Sequence, residues 1–457
     1  MSFPKDFVWG SATSSYQIEG AWDTDGRGPS IWDAFCQIPG KVHNNETGDI
    51  ACDHYHKMKE DVALMKKMGL KAYRFSISWS RIMPQGRGDI NEMGIQFYSD
   101  LIDELLANDI EPWVTLYHWD LPLALQMEMD GWLNKEIADV FTDYANLCFE
   151  RFGDRVKNWI TFNEAWVVSI LGYGQGVFAP GRISNSEPYL AGHHILIAHA
   201  KTVKSYRENY QPKQSGKIGI TNNCDWREPL TDSEEDKEAA ERALEFFVAW
   251  FADPIYFGHY PKCMVDRLGD RLPKFTEEEK QMLIGSTDFF GLNHYTTMLA
   301  SEAKEVEAGS VYGNGGLSED QDVNLSLDPS WELTEMKWAV VPWGCRKLLE
   351  WISDRYDYPD IVITENGCAY DDKLVNGEVN DVKRVEFFEG YLNECSKAID
   401  NGVKLTGYFM WSFMDNFEWA SGYNKRFGVH YVDFDTLERT PKKSAKWLSG
   451  YIGRNSK

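Results

Sequence analysis

The chain has 457 residues, of which 71 are acidic and 47 are basic, so its formal net charge is −24. Nucleic acids and anionic membrane surfaces require clustered positive charge, and this balance argues against either as a partner. No run approaches the roughly 18 apolar residues of a membrane span, and the eight cysteines lack CxxC spacing. We expect a large core, free thiols and, since no secretory signal is visible, a cytoplasmic location.

Strand-like runs rich in β-branched and aromatic residues alternate along the chain with amphipathic segments of helical periodicity. The predicted elements are, in chain order, strand Phe7–Thr13, helix His54–Met68, strand Ala72–Ser76, helix Gln96–Asn108, strand Pro112–His118, helix Lys135–Phe152, strand Asn158–Glu164, helix Tyr189–Asn209, strand Lys217–Asn222, helix Glu234–Phe251, strands Asp288–Tyr295 and Ile361–Glu365, helix Val382–Asn401, strand Leu405–Ser412 and helix Ser444–Tyr451.

Eight strands alternating with helices predict a (β/α)8 TIM barrel of the α/β class, with long loops at the carboxyl ends of the strands. We expect a single domain over residues 1–457, because no low-complexity linker or charge block interrupts the pattern. The polar segment Ala300–Trp331 is interpreted as a long loop after the sixth strand. The competing fold is an open doubly wound sheet. It usually has a phosphate-binding glycine turn after its first strand, which Trp9–Thr13 does not provide.

Two glutamates stand at the ends of predicted strands. Glu164 ends the segment Thr161–Glu164, and Glu365 lies in Ile363–Gly367. In barrels of this type the reacting groups gather where the strands end. Two carboxyl groups from two strand ends are what acid–base and nucleophilic work on a glycosidic bond requires. A lone glutamate there is more often an ion-pair or helix-cap partner, so the prediction depends on the surrounding residues.

The same rim is dense in amide, imidazole, guanidinium and indole groups. Sugars require this mixture, because their hydroxyls need donors and acceptors and their C–H faces stack on aromatic rings. The other polar or aromatic residues near the strand ends are Gln17, Arg74, His118, Trp119, Asn163, Asn223, Asn293, Tyr295, Trp411, Glu418 and Trp419. Each residue alone is as well explained by a structural role, but their joint placement indicates a sugar-binding site.

Neither a metal nor a nucleotide cofactor is expected. The cluster Asp53-His54-Tyr55-His56 lies at a predicted helix start with no further ligand suggested nearby, so a helix cap is the preferred interpretation. The chain lacks G-x-S-x-G, H-E-x-x-H and Walker A sequences, and Gly172–Gly176 lacks the dinucleotide-binding spacing. Serine hydrolase, zincin and nucleotidase functions are therefore unsupported.

The chain resembles glycoside hydrolase family 1, the β-glucosidase family, over essentially its whole length. The resemblance is carried by Phe7–Ala21, Tyr73–Arg81, His118–Pro122, Thr161–Glu164, Thr364–Gly367 and Trp411–Trp419. It implies that Glu365 is the nucleophile and Glu164 the acid/base, supported by Arg74, Asn163 and Tyr295. It also implies a glycone pocket made of Gln17, His118, Trp119, Asn163, Asn293, Trp411, Glu418, Trp419 and Phe427, and an aglycone side that includes Trp166, Leu171, Asn223 and Trp338.

Two branches of the family do not match this chain. Members that cleave phosphorylated sugars have a small residue where Glu418 stands, and a carboxylate there would repel phosphate. Thioglucosidases replace the acid/base glutamate by glutamine, whereas this chain keeps Glu164.

The resemblance predicts a retaining, exo-acting β-glucosidase that acts on small β-glucosides and cello-oligosaccharides, with β-fucosides and β-galactosides as further candidates. One alternative is a transglycosylase, in which a sugar or alcohol replaces water. A second is a non-catalytic glycan-binding member of the same fold, which would need to lose one carboxylate. A sugar dehydrogenase would need a dinucleotide site that the sequence does not show. The preferred sugar and the choice between monomer and homo-oligomer stay open.

Overall fold

The computed structural model describes residues 3–303 and 320–455. Its centre is a closed barrel of eight parallel strands, each hydrogen-bonded to its neighbours in the chain order, with the last strand pairing with the first. The strands are β1 Val8–Ala12, β2 Ala72–Ser76, β3 Glu111–Tyr117, β4 Asn158–Asn163, β5 Lys217–Asn223, β6 Phe290–Asn293, β7 Ile361–Asn366 and β8 Leu405–Trp411. The predicted (β/α)8 barrel is confirmed, and every predicted strand end lies within about two residues of the observed one.

Helices connect the strands and surround the barrel. The longer α-helices are His54–Met68, Glu92–Ala107, Ile137–Phe152, Glu187–Asn209, Glu234–Leu244, Trp250–Phe257, Pro342–Arg355, Val382–Asp400 and Lys443–Asn455. Shorter ones are Ser15–Ile18, Ile31–Cys36, Trp79–Ile82, Leu123–Met129, Ala165–Val167, Gln211–Gln214, Lys262–Leu268 and Glu277–Leu283. None of the helices in the described ranges is both long and apolar enough to cross a membrane.

The predicted helix Glu234–Phe251 is wrong as a single element. It is interrupted by a π-helical segment at Glu245–Ala249, and a further helix continues to Phe257. The wider turn of a π segment changes which side chains face inward, and such segments are frequent at functional sites. Hydrophobic periodicity cannot reveal this change, because Phe246 and Phe247 are apolar in either register. The last helix, Lys443–Asn455, is also longer than predicted.

The interpretation of Ala300–Trp331 as one irregular loop is partly wrong. Its first residues belong to the strand Thr297–Glu302, which pairs with Trp226–Pro229 on one side and Val323–Ser326 on the other. Residues 304–319 lie outside the described part of the chain. Ala300 and Val323 are buried against alanines of helix Glu234–Leu244, which explains why this small sheet forms beyond β5 and β6.

Side-chain alternation decides what fills the barrel and what faces its upper rim. Ala72, Trp113 and Phe409 belong to one buried cluster inside the barrel, with ring centroids of Trp113 and Phe409 5.1 Å apart. Residues two apart on a strand point to the same side, so Arg74 follows Ala72 into the barrel above this apolar layer. In β7 the pairing with β6 shifts register between Ile363 and Glu365, and such an irregularity re-aims a side chain.

Candidate active site

The surroundings of Glu365 stabilise the ionised form of its carboxyl group. It lies at the end of β7, where its Oε1 accepts a hydrogen bond from Arg74 Nη1 at 2.6 Å and its Oε2 accepts one from the Tyr295 hydroxyl at 2.7 Å. The backbone that follows Glu365 packs closely against the end of β8. A Cβ on Gly367 would lie 1.7 Å from the carbonyl oxygen of Trp411. Both oxygens of Glu365 thus have a strong donor.

Arg74 connects this carboxylate to the neighbouring strands. It is fully buried, and its other donors reach Thr115 Oγ1 at 3.1 Å, Asn163 Oδ1 at 2.6 Å and the Thr364 carbonyl at 3.0 Å. Burying a guanidinium costs least when its charge and donors are satisfied, as they are here. Because all of these partners belong to barrel strands, the position of Arg74 is rigid, and its hydrogen bond to Glu365 is held in place.

Glu164 has a different environment. Its Oε1 accepts a hydrogen bond from Asn293 Nδ2 at 2.6 Å, and no cation is paired with it among the described residues. Asn293 is itself oriented by Asn163 Oδ1 at 3.0 Å and by the Thr364 hydroxyl, which donates to Asn293 Oδ1 at 2.7 Å. The carboxyl group of Glu164 therefore meets a neutral donor in a buried site.

These surroundings separate the pKa values of the two carboxyl groups. Burial and then the charge of Glu365 raise the pKa of Glu164 well above its ordinary value. Burial also raises the pKa of Glu365, but Arg74 and the hydrogen bond from Tyr295 oppose that rise. Because the cation acts directly on Glu365, the shared proton resides on Glu164. The geometry thus presents one carboxylate and one carboxylic acid to the same pocket.

Glu418 is a third acidic group of the pocket. Gln17 Nε2 donates to Glu418 Oε2 at 3.4 Å, and also to Asn416 Oδ1 and the Phe417 carbonyl at 3.0 Å each. The Phe417 amide donates back to the Gln17 carbonyl at 3.1 Å, so the loop after β8 is fastened to the segment that follows the neighbouring strand β1. Burial and the charge of Glu365 raise the pKa of Glu418 to about 8.

Aromatic rings form the adjoining wall. The His118 ring lies between Trp411 and Trp419, with centroids 6.0 Å from each and interplanar angles of 18° and 16°. Burial, followed by the charge of Arg74, lowers the pKa of His118 well below its usual value, so the ring is neutral. Trp119 packs against Trp419 at 4.6 Å and donates its indole N–H to the Asn163 carbonyl at 2.9 Å.

One pocket collects most of the predicted residues. Its walls include His118, Trp119, Glu164, Trp166, Leu171, Asn223, Asn293, Tyr295, Trp338, Glu365, Trp411, Glu418, Trp419 and Phe427. The other three predicted residues, Gln17, Arg74 and Asn163, lie directly behind the wall and hydrogen-bond to residues that form it. The structure therefore brings the whole predicted set together.

The same pocket contains four residues that the sequence analysis missed, namely Val167, Phe178, Asp225 and Phe247. Val167 and Phe178 follow β4, Asp225 follows β5, and Phe247 belongs to the π-helical segment. Asp225 alone had a usable signal, since it is a charged residue two positions beyond Asn223. Loop and helix positions such as Phe178 and Phe247 depend on tertiary packing.

In the Asp53–His56 cluster each histidine is paired with one carboxylate. Across the described ranges, no group of three potential ligand side chains is arranged to hold a metal ion. The expected helix cap is only partly right, because Asp53 is at the N-cap position but its side chain makes no capping hydrogen bond. Its Oδ1 binds His56 Nδ1 at 2.6 Å, while His54 Nδ1 binds Asp61 Oδ2 at 2.7 Å.

A (β/α)8 barrel whose rim presents two carboxyl groups in different environments and several indole rings in one pocket is characteristic of glycoside hydrolases. The model of glycosyl hydrolase family 1 matches residues 1–457. The chain belongs to this family, and the predicted family is confirmed.

Relatives and solved structures agree with this assignment over nearly the full chain. The chain is 49% identical to Beta-glucosidase 42 of Arabidopsis thaliana, with 99% of this chain and 94% of that protein covered. It is 50% identical to Beta-glucosidase 1B of Phanerodontia chrysosporium, with 98% and 85% covered. The structure of a beta-glucosidase from the fungus Humicola insolens in complex with glucose superimposes with a TM-score of 0.94 at 45% identity, covering 99% of each chain.

Proposed function

We propose that the chain hydrolyses β-glucosides by double displacement, with Glu365 as the nucleophile and Glu164 as the acid/base. The chain is a β-glucosidase of family 1, and its substrates are small-molecule glycosides. The observation that carries the assignment of roles is the asymmetry of the two carboxyl groups. Glu365 is bound by a guanidinium and a hydroxyl, whereas Glu164 is bound by a neutral amide.

In the first step the Glu365 carboxylate attacks the anomeric carbon while Glu164 gives its proton to the leaving oxygen. Arg74 and Tyr295 keep Glu365 ionised before attack. The raised pKa of Glu164 keeps its proton available near neutral pH. The product is a glycosyl ester of Glu365, formed with inversion at the anomeric carbon.

In the second step water replaces the enzyme carboxylate. Once Glu365 is an ester it is neutral, so the charge that raised the pKa of Glu164 is gone and that pKa falls. Glu164 then accepts a proton from water, which attacks the anomeric carbon from the face that the leaving group vacated. Two inversions give net retention, and the Glu365 carboxylate is regenerated on its Arg74 and Tyr295 partners.

The Glu418 side of the pocket supports recognition of a single non-reducing sugar. Burial and the charge of Glu365 raise the pKa of Glu418 to about 8, and its two oxygens can accept hydrogen bonds from adjacent hydroxyls. Gln17 and His118 adjoin it, and Trp411 and Trp419 provide apolar faces for C–H groups. We assign cello-oligosaccharides as further substrates. Fucose and galactose differ from glucose at single hydroxyls, which supports testing β-fucosides and β-galactosides as well.

We also propose that the protein works in a reducing compartment such as the cytoplasm. All eight cysteines are free, and only Cys263 is more than slightly exposed. Secreted proteins commonly use cysteines in disulfides, so eight unpaired thiols favour an intracellular site. Measuring activity and thiol content after exposure to oxidised glutathione would test whether the thiols must stay reduced.

Replacing the proposed nucleophile tests the assignment directly. Glu365→Gly should abolish hydrolysis of 2,4-dinitrophenyl β-glucoside, and sodium azide should restore turnover with an α-glycosyl azide as product. The stereochemistry follows because azide enters from the face where the Glu365 carboxylate stood, opposite the leaving group. Proton NMR of the product gives the anomeric configuration.

The exposed Glu378 provides the matched control. Glu378→Gly should hydrolyse the same substrate without azide, since its side chain lies at the surface, outside the pocket walls. A β-glycosyl azide from Glu365→Gly, or hydrolysis at the unchanged rate, would contradict the role of Glu365.

A further inference from the structure

Asp225 is the charged residue in the pocket wall that the mechanism does not use. It follows the end of β5 by two residues and precedes the small-sheet strand Trp226–Pro229. Its side chain is 18% exposed and lines the pocket together with Glu164 and Trp166. A carboxylate that lines the substrate pocket can accept hydrogen bonds from a bound ligand.

The position of Asp225 is on the leaving-group side. Its charge contributes to the raised pKa of Glu164, the group that protonates the leaving oxygen. Glu418 lies on the side proposed to bind the sugar. Its pKa is shifted by burial, by the charge of Glu365 and by the hydrogen bond from Gln17. The Asp225 backbone also leads outward from the barrel rim into the small sheet. A group bound beside Asp225 is therefore part of the aglycone.

Asp225 has spare capacity to accept hydrogen bonds. Its Oδ1 accepts one long hydrogen bond from the Thr296 amide at 3.3 Å, and its Oδ2 lies 4.0 Å from Arg227 Nη1. A carboxylate offers about four acceptor positions. The Arg227 guanidinium is fully buried and makes no hydrogen bond within the described ranges, so its charge is available to compensate Asp225 from behind.

The chemistry around Asp225 suits a neutral, hydroxylated ring. Trp166 and Phe247 pack with centroids 4.6 Å apart and present apolar faces on this side of the pocket. The described pocket lining contains four acidic residues, of which Asp225 and Glu365, the proposed nucleophile, are the ionised ones, and no lysine or arginine. Hydroxyl groups can donate to Asp225, whereas an anionic aglycone would meet only like charge.

We propose that Asp225 is a specificity-determining residue that accepts hydrogen bonds from the hydroxyls of the leaving group and selects a second sugar over a flat apolar or anionic aglycone. The inference rests on the proposed function and names the aglycone class of that same site. Aromatic faces bind the ring and Asp225 binds its hydroxyls, as sugar recognition requires. Asp225 takes no part in bond cleavage.

The test compares substrates that share the glucose unit. The ratio of kcat/KM for cellobiose to that for phenyl β-glucoside should fall about tenfold or more in Asp225→Asn, because a charged acceptor is lost. The ratio for 4-carboxyphenyl to 4-methylphenyl β-glucoside should rise about threefold or more in the same variant, because repulsion is removed. If Asp225→Asn fails to fold, the double variant Asp225→Asn/Arg227→Met gives the same test. The second substitution removes the buried Arg227 cation that Asp225 compensates in the wild-type chain.

The exposed Asp232 supplies a control of the same residue type on the following loop. Asp232→Asn should leave both ratios at the wild-type values. If a folded Asp225 variant keeps the cellobiose ratio within about twofold of wild type, or shows no rise for the carboxyphenyl substrate, the inference is overturned. Failure of the wild-type enzyme to hydrolyse phenyl β-glucoside with retention would instead refute the proposed function.

Discussion

At the residue scale, three pocket residues adopt left-handed backbone conformations that a side chain disfavours. Trp119, Glu164 and Trp419 have φ values of 73°, 53° and 48°. Each such residue costs roughly 1–3 kcal/mol and persists only where the surroundings fix it. The Glu164 amide donates to the Thr221 carbonyl at 3.0 Å, and the Trp119 indole is held by the Asn163 carbonyl. The orientation of the Glu164 carboxyl group therefore depends on contacts with neighbouring strands.

The hydrogen bond between Tyr295 and Glu365 gives a prediction at this scale. The hydroxyl stabilises the ionised form of Glu365, so Tyr295→Phe should raise the pKa of Glu365. The acidic limb of the pH profile of kcat/KM should move to higher pH by about 1–2 units, because a hydrogen bond to a charged group contributes roughly 1.5–3 kcal/mol. The maximal kcat/KM should fall about tenfold or more. Initial rates across pH 4 to about 9 measure both effects.

Tyr144 offers a matched control, since its hydroxyl donates to the Leu116 carbonyl at 2.7 Å in a buried site outside the pocket walls. Tyr144→Phe should leave the acidic limb in place. An unshifted limb in Tyr295→Phe would show that Arg74 alone sets the ionisation of Glu365.

At the element scale, a buried ionic network anchors the loop that carries Glu418. Asp415 precedes that loop, and its carboxylate accepts hydrogen bonds from Lys442 Nζ, Arg426 Nη1 and the Gly428 amide at 2.7, 2.7 and 2.9 Å. Lys442 also donates to Asp372 at 2.6 Å and is fully buried. The network thus joins the residue that precedes the last helix to the residues on both sides of Phe427.

Removing one charge from this network should cost stability. Lys442→Met leaves Asp372 and Asp415 with less compensation in a dry site, and we expect the free energy of unfolding to fall by about 3–5 kcal/mol. Urea unfolding followed by tryptophan fluorescence measures the change. Lys446→Met is the control, because Lys446 is 63% exposed and 3.9 Å from the exposed Glu378. Equal midpoints for the two variants would mean that the network is not a source of stability.

At the scale of the whole molecule, the loop Asn416–Trp419 places Glu418 and Trp419 on one side of the pocket. Hydrogen bonds in both directions fasten this loop to Gln17, which follows the neighbouring strand β1. Under the proposed exo action, a chain of sugars enters by its non-reducing end, with one unit beyond the scissile bond. The net charge of −24 and the acidic pocket lining both favour neutral substrates over anionic ones.

Exo action predicts the order of products from cellotetraose. Glucose and cellotriose should appear first and in equal amounts, with cellobiose accumulating only as cellotriose is consumed. Chromatography of samples taken within the first few per cent of conversion measures the order. Early cellobiose as the main product would indicate internal cleavage.

Much of the architecture was predictable because its signals are local. Runs rich in β-branched and aromatic residues located β2 and β3 to within about a residue, and helical periodicity located Val382–Asp400. The interruption at Glu245–Ala249 was not predictable, since both registers bury apolar side chains. The pairing of Thr297–Glu302 with Trp226–Pro229 was also missed, because it joins segments far apart in the chain.

The sequence by itself determined the barrel, the two glutamates and the glycosidase family, because strand periodicity and short motifs are properties of contiguous residues. The family resemblance assigned the roles of the two glutamates, and only the tertiary structure supplied the physical reason, since in it Arg74 and Tyr295 reach Glu365 from other strands. The tertiary structure likewise brought Asp225 and Phe247 into the pocket wall. Charge interactions act through space between strand ends, and their distances exist only after the barrel has closed.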